Sequence, residues 1–119
     1  MRDFKKLLVW QLGMEIVDKV YEIMPFLPQE EKDGIKSQMT RSAISIPSNI
    51  AEGSAKKSMK EYIRYLEIAL GSAFELETHP MVVQRRKWTS KELIVELLEM
   101  VGREQKMLSK FIEKLESEL

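Results

Sequence analysis

Apolar residues recur in steps of three and four along most of the chain, the period of α-helices, and the pattern resolves into four amphipathic segments. The first runs from about Leu8 to Phe26 and carries two adjacent stripes, Val9, Leu12, Ile16, Val20, Ile23 and Leu27 on one and Trp10, Met14, Val17, Tyr21 and Met24 on the next. A single core contact needs one stripe, so the surplus predicts a helix that is deeply buried or that also meets a second chain. Pro25 and Pro28 end it, because the residue before a proline avoids the helical region. Ahead of it, Phe4 is expected to tuck onto the bundle from a mostly polar lead-in.

The second segment spans about Gln29 to Glu52 and opens on Glu30, Glu31 and Asp33, which suit the positive end of a helix dipole. Ile35, Met39, Ala43, Ile46 and Ile50 form its buried seam, while Gln38, Arg41, Ser45, Asn49 and Glu52 fall on a separate polar stripe. Pro47 lies inside this pattern and removes the donor that the carbonyl of Ala43 would receive, which predicts a kink or a new first turn. Gly53 is expected to close the helix in the left-handed conformation. Ser58 with Glu61 is a capping box that starts the third helix at Met59. There Met59, Tyr62, Leu66, Ala69, Ala73 and Leu76 face the core, and Ala69, Gly71, Ser72 and Ala73 allow a neighbouring helix close approach.

Pro80 would cost about 3 kcal/mol inside a helix, so the third segment is expected to end near Thr78 or to kink. A second capping box, Thr89 with Glu92, starts the fourth helix near Ser90. That helix also has two stripes: Ile94, Leu98, Val101, Leu108, Ile112 and Leu115, broken by Gln105, and Leu93, Leu97, Met100, Met107 and Phe111. Four such helices joined by short loops predict an all-α, up-and-down antiparallel four-helix bundle, one domain over residues 1–119, with helix 2 kinked at Pro47.

The run from Gln38 to Gly53 reads QMTRSAISIPSNIAEG, and it meets every fixed position of the pattern Q-x-x-R-x-x-x-S-I-P-x-N-I-A-E-G. In this run the chain resembles the four helix bundle protein family, the 23S ribosomal-RNA intervening-sequence proteins. DFKKLLVWQLG (Asp3 to Gly13) and YIRYLEIALGSAFELET (Tyr62 to Thr78) resemble the same family, so nearly the whole chain is covered. The resemblance implies a four-helix bundle that assembles as a ring-like homopentamer, and some members are encoded within insertions in large-subunit ribosomal RNA genes. Similar accessory variability determinants of diversity-generating retroelements are basic pentamers that bind nucleic acid and a reverse transcriptase. On this resemblance the surplus stripes become subunit contacts, through Trp10, Met14, Val17 and Tyr21 of helix 1 and Leu97, Met100, Met107 and Phe111 of helix 4.

Composition narrows the chemistry. The chain has no cysteine, which excludes a disulfide framework, a thiolate metal site and a cysteine nucleophile, and which fits a reducing compartment. Nothing near the N-terminus reads as a signal peptide or a spanning helix, so a cytoplasmic protein that contacts no membrane is expected. Nineteen basic and nineteen acidic residues cancel, so any polyanion site must be a local patch. Two patches qualify: Lys56, Lys57, Lys60 and Arg64, and the loop Arg85, Arg86 and Lys87 with Trp88 beside it to stack a base.

Catalytic signatures are scarce. His79 is the one histidine and precedes Pro80, where a capping or surface role is the common one. Paired acids such as Glu75 with Glu77 do not share a helix face, and neither a di-iron Glu-x-x-His pair nor a glycine-rich phosphate loop is present. No catalytic residue, cofactor, metal or small-molecule substrate is expected. The polar stripe has two readings, an internal network that satisfies groups freed by Pro47, or a binding face for RNA or protein. The expected function is a non-enzymatic oligomeric adaptor associated with ribosomal RNA or another ribonucleoprotein; the rival is a protein scaffold without nucleic acid. Clustering of the basic residues on one surface favours the adaptor and scattering favours the scaffold, whereas acids converging in a pocket around His79 would point to an enzyme.

Overall fold

The computed structural model describes residues 2–119. It contains α1 (Leu8–Ile23), α2 (Ile35–Ser54), α3 (Met59–Arg86) and α4 (Lys91–Glu116), and among the described residues there is no strand. α1 packs between α2 and α4, and α3 packs between the same two from the other side, so the four helices close an antiparallel bundle. At about 1.5 Å per residue α3 and α4 are each about 40 Å long, and they set the 46 Å long axis of the molecule.

The predicted core stripes are the core. Every residue of the first α1 stripe is buried, and so is every apolar residue of the α2 seam. The second α1 stripe behaves differently: Trp10 and Val17 are half-buried and Met14 and Tyr21 exposed, with Met24 alone buried. Helix 1 therefore satisfies the core with one stripe and leaves the other largely open.

Boundaries differ from expectation in several places, each for a local reason. Glu30 and Glu31 lie in a 3-10 turn, Gln29–Glu31, and α2 begins only at Ile35; Glu31 still reaches forward, its Oε1 accepting weakly from the Ile35 N–H at 3.5 Å. α2 then passes through Pro47 as an unbroken helix to Ser54, with no new first turn. Gly53 is helical, not left-handed. Its lack of a side chain serves close packing, since a Cβ there would lie 2.6 Å from Cβ of Tyr65.

Ser58 caps α3 as expected, its Oγ accepting from the Glu61 N–H at 3.1 Å. The helix does not end at Thr78: it continues through Pro80 to Arg86. Leu76 before the proline and Val83 after it are both fully buried, and burial of each contributes about 1.5–3 kcal/mol. Those two anchors offset the proline's cost. Lys87 stops the helix with φ 58°, left-handed. α4 is capped by Ser90 and not by Thr89, the Ser90 Oγ accepting from the Leu93 N–H at 3.4 Å.

The N-terminal segment is tied down. Phe4 meets Trp10 edge-on, with ring centroids 5.3 Å apart. Arg2 donates to the carbonyls of Ser54 and Lys56 and stacks over the Tyr62 ring at 4.4 Å, so its guanidinium covers the carbonyl end of α2. Toward the C-terminal end of α1, Lys19 bridges Glu96 near the start of α4 at 2.7 Å.

Candidate functional site

The α2 motif divides into a bonded half and an open half. Asn49 donates through Nδ2 to the Ser45 carbonyl at 2.8 Å and to Ser45 Oγ at 2.9 Å. Ser45 Oγ in turn meets Ser72 Oγ of α3 at 2.8 Å, a polar clasp between two helices. This agrees with an internal network, except that its target is the Ser45 carbonyl and not the Ala43 carbonyl that Pro47 leaves without a donor. The other half faces a cleft of about 390 Å³ between α2 and α3, where Gln38 and Arg41 sit opposite Glu75 with Asp33 at the rim. Among the described residues Arg41 donates only to Ser37 Oγ, at 3.2 Å, and forms no ion pair. Glu52 is exposed and lines neither the clasp nor the cleft.

His79 is buried, with Nδ1 unpartnered. Burial lowers its pKa, and Glu75 one turn earlier opposes that shift. It does not line the cleft, and among the described residues no three acidic or histidine side chains converge as metal ligands.

The basic residues do not form one patch. Lys60 and Arg85 lie on α3 twenty-five residues apart, about 38 Å along the helix axis. Lys60 and Arg64 share a groove with Glu61, Glu67 and Glu116, so acids neutralise their surroundings. Lys56 sits over the Tyr65 ring at 5.0 Å, and Lys57 is exposed beside it. At the opposite end Arg85, Arg86 and Lys87 are all exposed around the left-handed turn, next to Trp88, which is half-buried against the core.

Apolar surface is the other feature of note. Trp10, Met14 and Val17 of α1 join Ile44, Pro47 and Ala51 of α2 in an open groove of about 270 Å³. Leu7, Leu8, Met107 and Phe111 line a second groove between the start of α1 and α4. Met100 is half-buried. Leu97 must be removed from the expected interface, because it is fully buried inside the bundle. Phe111 already has an internal partner, meeting Tyr62 edge-on at 6.0 Å. The patterns missed Phe74 and Met81, exposed by 55% and 45% one above the other on α3, since they belong to no stripe facing the core.

Glu104 was missed as well. Its side chain is fully buried in α4, and neither carboxyl oxygen has a partner. Burial pushes its pKa up to about 8, against a small opposing pull from Arg103. The signal was present: the buried positions Ile94, Leu97, Val101, Glu104 and Leu108 step by three and four, whereas a stripe drawn through Leu98 puts the polar break at Gln105. Gln105 instead faces α3, donating to Glu77 Oε1 at 2.7 Å.

These features define a small helical bundle with an open apolar flank and a motif split between a clasp and a cleft. The profile of the 23S rRNA-intervening sequence proteins matches residues 5–110, and the chain belongs to that family. No match was found among curated proteins. Among solved structures it is similar to a protein of unknown function from the S23 ribosomal protein family of Bacteroides thetaiotaomicron, with 26% identity and a TM-score of 0.80 over 88% of this chain and 98% of that one.

Proposed function

We propose that the protein is a non-enzymatic adaptor that works as a ring of identical subunits and associates with ribosomal RNA or a ribonucleoprotein. One observation carries the ring. Met14 and Tyr21 stand exposed on α1, Phe74 and Met81 on α3, and these two helices lie on opposite flanks because each packs against α2 and α4. Two different patches facing opposite ways can join copies head to tail, and such contacts close into a ring where the rotation between copies returns to its start. The pentamer implied by the family resemblance is one such ring.

Light scattering on mixed variants tests this. Tyr21→Glu and Phe74→Glu, each at an exposed site, should separately reduce the assembly to the 13.9 kDa monomer with helix content kept. Mixed together they retain one intact pairing and should form dimers and nothing larger. An assembly unaffected by Phe74→Glu would mean a two-fold interface, and a monomeric wild type at micromolar concentration would remove the ring.

The nucleic-acid part of the proposal rests on the family name and on Arg85, Arg86, Lys87 and Trp88, which a ring would repeat around one rim. The separation of the two basic clusters favours the scaffold without nucleic acid. Binding of structured RNA that weakens steeply with salt and disappears in Arg85→Glu/Arg86→Glu supports the adaptor. A verified ring that binds no RNA at low salt leaves the scaffold.

A further inference from the structure

We infer that Glu104 is held as a neutral acid and donates its proton to the main-chain carbonyl of Ala43, forming a proton-dependent latch that fastens α4 to α2 through the gap left by Gly13 of α1. The sites come together at one level of the bundle. A Cβ on Gly13 would stand 3.2 Å from Glu104 Oε2, 3.3 Å from Ile46 Cγ2 and 3.4 Å from Pro47 Cδ. The carboxyl and the proline ring thus share the space that a glycine leaves empty.

Pro47 has no N–H, so the Ala43 carbonyl one turn before it lacks its helical donor, and Ala43 is fully buried. An ionised carboxylate only accepts, and no donor reaches either oxygen of Glu104. An acceptor left over by the proline and a carboxyl without donors are compatible when the carboxyl keeps its proton. One hydrogen then serves both the Ala43 carbonyl and the acid's own O–H. Asn49, the other amide near the break, is already committed to Ser45 and cannot serve.

The charged groups around the latch leave this unopposed. α1 presents Gly13 between Leu12 and Ile16, and α2 presents Ile46 and Pro47, all of them buried. α3 runs past at the level of Ala69 and Ala73; its nearby Glu77 is engaged by Gln105, and His79 lies further along. On α4 Arg103 is exposed and exerts the one Coulombic pull toward ionisation.

The test is a carbon-detected NMR titration of the glutamate carboxyls in the full-length protein and in Pro47→Ala, an exchange that favours the helix and restores the missing N–H. In the wild type the Glu104 carboxyl should titrate near 8, apart from the surface glutamates. In Pro47→Ala the restored backbone N–H competes for the Ala43 carbonyl, the bond from the neutral acid weakens, and the Glu104 midpoint should fall by up to about one unit, the scale of one hydrogen bond. A wild-type midpoint among the ordinary carboxyls overturns the neutral acid. An unchanged midpoint in Pro47→Ala overturns Ala43 as its partner.

Discussion

Raising the pH from about 4.5 to about 8 is expected to remove the stability that Glu104 contributes, by as much as about 1.4 kcal/mol per unit, with no further loss from this group above that range. His79, whose pKa burial lowers, pulls the other way at the acid end. The folded pKa of Glu104 lies above the unfolded one, so the native state holds a proton that the unfolded chain has released. The stability Glu104 confers is complete below 4.5 and is lost as pH rises through 8. Across the window the change is on the order of several kcal/mol, a large share of a small domain's total. Denaturant unfolding of wild type and Glu104→Gln at a series of pH values isolates the effect, because the amide keeps a donor and does not titrate. The difference between the two curves should slope through the neutral range, and parallel curves would mean that Glu104 ionises normally. Glu104→Leu should exceed the wild type in stability only well above pH 8, where the carboxyl is ionised and an uncompensated buried charge is replaced by apolar volume.

Gly53→Ala is the second change with a large expected effect, and its direction opposes the usual rule. Alanine is favoured over glycine by about 1 kcal/mol in a helix interior, and Gly53 is helical. The added methyl would lie 2.6 Å from Tyr65 Cβ and 3.3 Å from the Tyr62 carbonyl oxygen. Neither atom can rotate away, being backbone or fixed to it, so α2 and α3 must separate at about 1–3 kcal/mol or more. Net destabilisation of about 1–2 kcal/mol is expected, seen as a lower thermal midpoint. Gly71→Ala and Gly102→Ala are the controls: a Cβ at either meets nothing within 4 Å, and both should hold or raise the midpoint. A stabilised Gly53→Ala would mean that the α2–α3 contact is looser than described.

Periodicity made the bundle legible. Val9, Leu12, Ile16, Val20 and Ile23 repeat at helical spacing and all are buried, and the Ser58 cap fixes the start of α3 to the residue. What local rules missed was decided by tertiary contact. Pro80 looks like a stop until Leu76 and Val83 are seen to be anchored on either side of it, and Gly53 looks like a cap until Tyr65 is seen beside it. The motif gave the location of a polar stripe but not its division, because whether Ser45 and Asn49 turn inward depends on Ser72 of another helix. The two basic patches were legible as groups, but whether they meet on one surface depends on the length of α3, which separates them. Glu104 stayed hidden because a carboxylate is an improbable core residue, and the same spacing also allows a stripe through Leu98 with its polar break at Gln105.

Gly13 and Glu104 occupy one pocket of space from two neighbouring helices, so a change at one is felt at the other. A Cβ at position 13 would press on the carboxyl at 3.2 Å and on the Ile46 methyl at 3.3 Å, so both would have to give by a few tenths of an ångström, and a shorter residue at position 104 would relieve the contact. Position 104 in turn can lose its carboxyl at little cost only where something else fills the gap or where Pro47 has been replaced. These three positions therefore constrain one another as a set, so that the effect of a substitution at any one is read correctly only in the background of the other two.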